Sequence, residues 1–150
     1  MKRLYSLIII ASVLLLPAFA GFGGAAFEAP SKYQRIELES GEALIDLGEL
    51  TPGKARHFQL GETGIKFFAY KGMDGVVVTA FDTCKLCWSQ RQGFSQRGEM
   101  MSCNSCGKES MITAIADFGH DCSPIVIRHR ILDGNIRIEA GEFLSGAKYF

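Results

Sequence analysis

Five cysteines fall within a stretch of 39 residues, and four of them form two pairs with one spacing. Cys84-Lys85-Leu86-Cys87 and Cys103-Asn104-Ser105-Cys106 are both Cys-x-x-Cys turns; fifteen residues separate the pairs, and fifteen more lead from Cys106 to Cys122. Such a turn aims two sulfurs at one point, and thiolates are good ligands for soft and borderline metal ions. Gly107, directly after the second pair, lets the backbone wrap closely behind the sulfurs. Two such turns at the ends of a hairpin complete a tetrahedral sulfur site. Zinc held this way is redox-silent and staples a small fold. Iron, as a single ion or an iron–sulfur cluster, transfers electrons at a potential set by hydrogen bonding and burial. The spacing admits both and is closer to a zinc ribbon than to a compact ferredoxin run.

Disulfides are the competing fate of cysteines in an exported chain. An odd count argues against a pure disulfide framework, because one thiol must stay free or pair with another molecule. Thioredoxin-like exchange calls for a Cys-x-x-Cys opening a helix in a βαβ unit, and no such context surrounds either pair. Cys122 lies in Gly119-His120-Asp121-Cys122-Ser123-Pro124, where it reads as a ligand, a second-site ligand or a plain buried thiol. His120 is a weaker ligand candidate, while His57 and His129 read as surface or sheet residues. Trp88, Phe94, Met100 and Met101 lie close to the pairs and are candidates to keep water from the sulfurs. Asp82 and Asp121 flank the region as turn formers or hydrogen-bond acceptors. No Gly-x-Ser-x-Gly, His-Glu-x-x-His or phosphate-binding glycine loop occurs, so the chain reads as an electron carrier or metal-binding protein before a catalyst.

The elements that must position these thiols read as short antiparallel strands and hairpins of one small, mainly β domain, with the cysteines on zinc-ribbon-like loops. Ile36 and Leu38 alternate with charged neighbours, and Ala55–Leu60 places Phe58 and Leu60 on one face and His57 on the other. Residues 65–70 and 76–81, joined through Gly72, Asp74 and Gly75, predict a hairpin with a bulged loop. A second hairpin is expected from Ile125–Ile127, the Asp133-Gly134 turn and Ile136–Ile138. Helix signals are thin: a turn or two over Glu42–Leu50, and the same over Gly141–Leu144.

Lys2 and Arg3 precede an uncharged stretch, Leu4–Phe27, with a dense apolar block and the small-residue pattern Ala18-Phe19-Ala20. That is the layout of a secretory signal cleaved after Ala20, or else of an N-terminal membrane anchor. Residues 1–20 are therefore expected to be a signal or anchor, 21–32 a glycine-, alanine- and proline-bearing tether, and 33–150 the exported domain. Without Lys2 and Arg3, 14 basic residues face 16 acidic ones with no basic block, which argues against nucleic acid as a partner.

The order Phe81-Asp82-Thr83-Cys84-Lys85-Leu86-Cys87, then Cys103-Asn104-Ser105-Cys106-Gly107, then the single Cys122 resembles the FtrD-like membrane iron–sulfur-containing protein family. Lys66–Lys71, Gly93-Phe94 and the closing Gly146–Phe150 extend the likeness over roughly residues 43–150. The resemblance implies an iron–sulfur cluster or iron, with zinc as the alternative, on Cys84, Cys87, Cys103 and Cys106, with Cys122 as the additional family position. It also implies electron transfer in the periplasm or on the outer face of the inner membrane. The implied partner is a membrane redox protein or iron permease complex serving ferrous iron uptake. The chain departs from the family pattern at Trp88, usually tyrosine, at Lys108-Glu109-Ser110, where a proline is common, and at Ser123, where asparagine is usual. The cysteines are kept, so the departures bear on the shape around Cys122 more than on metal binding.

Overall fold

The computed structural model of the chain describes residues 31–150. The signal or anchor expected over 1–20 lies outside the described residues, as does the tether over 21–32 apart from its last two positions. No helix among the described residues is long and apolar enough to cross a membrane.

Along the chain run β1 (Tyr33–Ile36), β2 (Leu38–Glu39), β3 (Glu42–Asp46), β4 (Arg56–Leu60), β5 (Lys66–Lys71) and β6 (Val77–Phe81). The second half carries β7 (Phe94–Arg97), β8 (Met100–Cys103), β9 (Glu109–Met111), the short helix α1 (Ile115–Phe118), β10 (Arg130–Leu132), β11 (Asn135–Glu139) and α2 (Ala140–Gly146). They form three sheets, ordered β1-β4-β5-β6, β10-β11-β3-β2 and β7-β8-β9. The domain is small and mainly β, and among the described residues only the β1–β4 pair is parallel.

The expected hairpin forms between β5 and β6, with Phe67 opposite Phe81 and Lys71 opposite Val77. Gly75, at φ +87°, supplies the left-handed residue of its loop. Successive residues of a strand point to opposite faces, so β5 serves two cores at once. Phe67 and Ala69 join Phe58, Phe81, Phe143, Ile136 and Ile138 on one side. Phe68 and Tyr70 join Phe94, Met101, Ile112 and three of the cysteines on the other. Burial on both faces explains why 67–70 reads as an unbroken apolar run.

Two expectations need correction. The second hairpin turns at Asp133 and Gly134, both left-handed at φ +51° and +74°, but its first strand is Arg130–Leu132, with Leu132 opposite Asn135. A two-residue turn pairs the residues that flank it, and Ile125–Ile127 lies too far upstream. That segment instead lines the β6 edge, where Phe81 donates to the Ile125 carbonyl at 2.8 Å and Ile127 donates to that of Thr79 at 2.9 Å. Over Glu42–Leu50 the chain is strand before helix: β3 is held between β2 and β11, and only Leu47–Glu49 coils, as a 3-10 turn. Ala43 and Ile45 alternate into the core there, and pairing on both sides overrides the weak helical preference. The helix expected near Gly141–Leu144 forms as α2. A Cβ on Gly146 would collide with the Phe81 ring, so glycine lets α2 close onto the sheet.

Candidate metal centre

Three loops converge on the cysteines. Cys84 follows β6 by three residues, and Cys87 opens a 3-10 turn, Trp88–Gln90. The Cys87 amide donates to the Cys84 sulfur at 3.1 Å, the closed form of a Cys-x-x-Cys turn. Cys103 ends β8, and Cys106 lies in the turn to β9, where Gly107 at φ +74° donates to the Cys103 carbonyl at 2.8 Å. That left-handed glycine is the one anticipated behind the second pair.

Cys122 arrives on the loop after α1. Its amide donates to His120 Nδ1 at 3.2 Å, and the His120 amide donates to Ser123 Oγ at 2.8 Å. Ser123 Oγ and Ser110 Oγ stand 2.8 Å apart and latch this loop to β9. His120 is therefore turned to the backbone behind Cys122 and is not among the clustered metal-ligand candidates. The two serines are positioning residues that the sequence reading missed.

All five cysteines meet. Cys122 Sγ lies 3.6 Å from Cys84, 3.7 Å from Cys87 and 2.8 Å from Cys106. The sulfurs of Cys84, Cys87, Cys103 and Cys122 all stand within 4.8 Å of one another, positioned to ligate a metal ion. Cys84, Cys103 and Cys122 are buried, Cys87 is half-buried and Cys106 is exposed. Cys122 is thus at the middle of the group and Cys106 at its rim, whereas the sequence alone pointed first to the two pairs.

Without metal the thiols differ electrically. The hydrogen bond between the Cys122 and Cys106 sulfurs and, second, the bond from the Lys108 backbone lower the Cys106 pKa to about 7. Burial pushes Cys87 up to about 12 and raises Cys122 further, with the bond to Cys106 adding to the latter. Cys106 at the rim is thus more acidic than an ordinary thiol, and Cys87 and Cys122 are less so.

Asp82 organises the loops. Its side chain is fully buried; Oδ1 accepts from the Phe94 amide at 2.6 Å, and Oδ2 accepts from Tyr33 Oη at 2.6 Å and Lys32 Nζ at 2.9 Å. It thereby ties β1 and β7 to the entrance of the first cysteine pair. A Cβ on Gly93 would stand 2.8 Å from this carboxylate, which explains the glycine before Phe94. Phe94 and Met101 are buried in the cluster that holds the thiols; Met100 is half-buried and Trp88 is 40% exposed. His57 takes a sheet position in β4, and His129 lies just before β10 with its Nδ1 2.8 Å from Thr79 Oγ1.

Among solved structures the chain is similar to the quaternary ammonium Rieske monooxygenase CntA in complex with inhibitor MMV12, at TM-score 0.46 and 13% identity, over 63% of this chain and 30% of that one. A second structure of a quaternary ammonium Rieske monooxygenase gives TM-score 0.45 and 14% identity over 63% and 29% of the two chains. The complex of CntA with L-carnitine gives 0.44 and 13% over 62% and 30%. The chain spans less than a third of the length of these proteins. No curated protein matches it. The family described as membrane iron-sulfur containing protein FtrD-like matches residues 50–150, which hold every cysteine and both clusters' shared strands β5 and β6, and the chain belongs to that family.

Proposed function

We propose that this protein is an exported electron carrier whose centre is iron, as an ion or an iron–sulfur cluster, held by Cys84, Cys87, Cys103 and Cys122 with Cys106 as the rim ligand. The observation that carries the reading is the convergence of four thiols from three loops within 4.8 Å of one another. For metal–sulfur bonds of about 2.3 Å, tetrahedral sulfurs stand about 3.8 Å apart. The Cys122 distances of 3.6 and 3.7 Å match one ion as they stand. A cluster is wider and asks the sulfurs to spread; Cys87 and Cys106, the least buried, have the room. The family description favours iron over zinc.

Such a centre supplies one-electron transfer. The protein's part is to keep it dry with Phe94 and Met101, and to leave an exchange edge at Cys106 and Cys87. In this reading the chain acts as an electron carrier. Its partner in this reading is a membrane redox protein or iron permease complex, met transiently at the Cys84–Cys87 and Cys103–Cys106 loops, with the domain in the periplasm or at the outer face of the inner membrane. The leader-like N-terminus and the family's membrane description support that placement.

Protein purified without oxygen tests the centre. Stoichiometric iron with acid-labile sulfide and visible bands that bleach on reduction means a cluster, and iron without sulfide means a single ion. One colourless zinc per chain overturns the electron-transfer reading and leaves a structural or metal-delivery site. Two disulfides and no metal overturn both. For the uptake role, a strain lacking the gene is expected to grow poorly on limiting ferrous iron and to recover with wild type but not with Cys103→Ser; equal rescue counts against it.

A further inference from the structure

A cleft beside the first cysteine pair has no part in the reading above. It encloses about 310 Å³, and its aromatic walls are Tyr33, Trp88, Tyr149 and Phe150. The Trp88 and Tyr149 rings meet edge to face, centroids 6.3 Å apart, leaving the indole 40% exposed. Trp88 is the chain's single tryptophan. Large exposed aromatics around a concave surface are a mark of ligand sites.

The charges of the cleft select the ligand. Asp82 lines it, but its carboxylate is already met by Lys32, Tyr33 and the Phe94 amide. Lys66 and Arg91 also line it, and neither has a carboxylate within ion-pair distance among the described residues. Lys66 Nζ instead stands 4.7 Å from the centroid of the Tyr33 ring. Two cations without a carboxylate partner, Lys66 over the Tyr33 ring and Arg91 on the cleft lining, repel a cationic ligand and suit a planar anion. Its ring packs on Trp88 and Tyr149, and its carboxylate takes the guanidinium and ammonium groups.

We propose that this cleft binds a small aromatic carboxylate, clamped by Arg91 and Lys66 against Trp88 and Tyr149. The volume lies at the lower end of small-molecule sites, which limits the ligand to one or two rings. Thr83 and Trp88 flank Cys84 and Cys87 in sequence, so the ligand binds next to the first cysteine turn. The assignment does not depend on which metal the thiols hold.

The test uses the purified, metal-loaded protein with benzoate, 2-naphthoate and the uncharged 2-naphthamide. Calorimetry follows all three, and Trp88 emission follows benzoate. Saturable one-site binding of 2-naphthoate is expected, about tenfold weaker for the amide, with benzoate quenching Trp88. Arg91→Gln and Lys66→Gln are each expected to weaken 2-naphthoate by about tenfold while metal content stays unchanged. Affinity for 2-naphthoate weaker than about 1 mM, equal binding of the amide, or unaltered binding by both variants overturns the proposal.

Discussion

The two apolar clusters share strands β5 and β6 but differ in what closes them. The frame cluster is sealed by hydrocarbon alone: Phe58 stacks on Phe67 at 5.4 Å, and Phe143 from α2 meets Phe67 edge-on at 5.1 Å. Its strands are mostly paired over four or five residues. The site cluster is built from three- and four-residue strands, and three of its buried side chains are thiols. Short sheets with little apolar surface do not hold alone. The difference implies that the frame is folded before metal arrives, and that the metal completes the other half.

Removing the metal is the largest break in that comparison. Structural zinc in small domains contributes on the order of 10 kcal/mol to folding, so its loss exceeds any single side-chain change. Chelation is expected to abolish hydrogen-exchange protection over residues 94–122 while β3, β5 and β11 stay protected. Uniform loss, or none, would show the two halves to be one unit. The cysteine variants sharpen the same point. Cys122→Ser, at the middle of the sulfurs, is expected to lose the metal; Cys106→Ser, at the rim, is expected to retain most of it, and metal content per chain reads both.

Breaking the frame should act differently. Phe67 is fully buried and touches both Phe58 and Phe143. Phe67→Ala is expected to cost about 3–5 kcal/mol in denaturant unfolding, as for other large-to-small core changes. Because β5 also carries Phe68 and Tyr70 for the site cluster, both halves should unfold together, and retention of the site after the frame has melted would contradict this.

A smaller effect is expected at the joint between the halves. Asp82→Asn keeps the side chain's shape but removes the charge that meets Lys32 and Tyr33. A loss of about 1–3 kcal/mol is expected, since bonds to a charged acceptor are the stronger kind. Metal content should hold. A loss of metal comparable to Cys122→Ser would mean that Asp82 shapes the site itself.

The sequence disclosed most where one strong local rule decides. The Cys-x-x-Cys turns, Gly107, the β5–β6 hairpin and the Asp133-Gly134 turn are all local signals, and all four appear. The ranking of the thiols was not legible, because Cys122 reaches the centre through a loop latched by Ser110 and Ser123, two unremarkable serines thirteen residues apart. Hairpin β7–β8 escaped notice for a related reason: Ser95, Gln96 and Arg97 are polar, and the strand is specified by pairing and by Phe94 alone entering the core. Trp88 follows Cys87 directly, yet its ring meets Tyr149 edge to face and stays 40% exposed.

The smallest effect expected is a dependence of stability on pH set by two histidines outside the thiol group. His57 lies between Tyr33 and Phe68, ring centroids 5.9 and 5.8 Å away, and its Nε2 is buried with no hydrogen-bond partner. Burial lowers its pKa below the ordinary 6.5; the Asp82 charge opposes this and the Lys32 charge adds to it. His129, whose Nδ1 is 2.8 Å from Thr79 Oγ1, is lowered by burial as well. A histidine whose pKa is depressed on folding takes up its proton more readily in the unfolded chain. The stability it contributes is therefore complete above pH 6.5 and is lost as pH falls from 6.5 through the lowered folded values. Each histidine contributes a slope no steeper than about 1.4 kcal/mol per pH unit. Urea unfolding from pH 7.5 down to about 5 should show this decline. His57→Phe leaves no polar atom unpaired and is expected to change stability little at pH 7.5 while flattening the slope by up to one proton. An unchanged slope in that variant would place the acid sensitivity elsewhere, with protons competing for the thiolates as the next candidate.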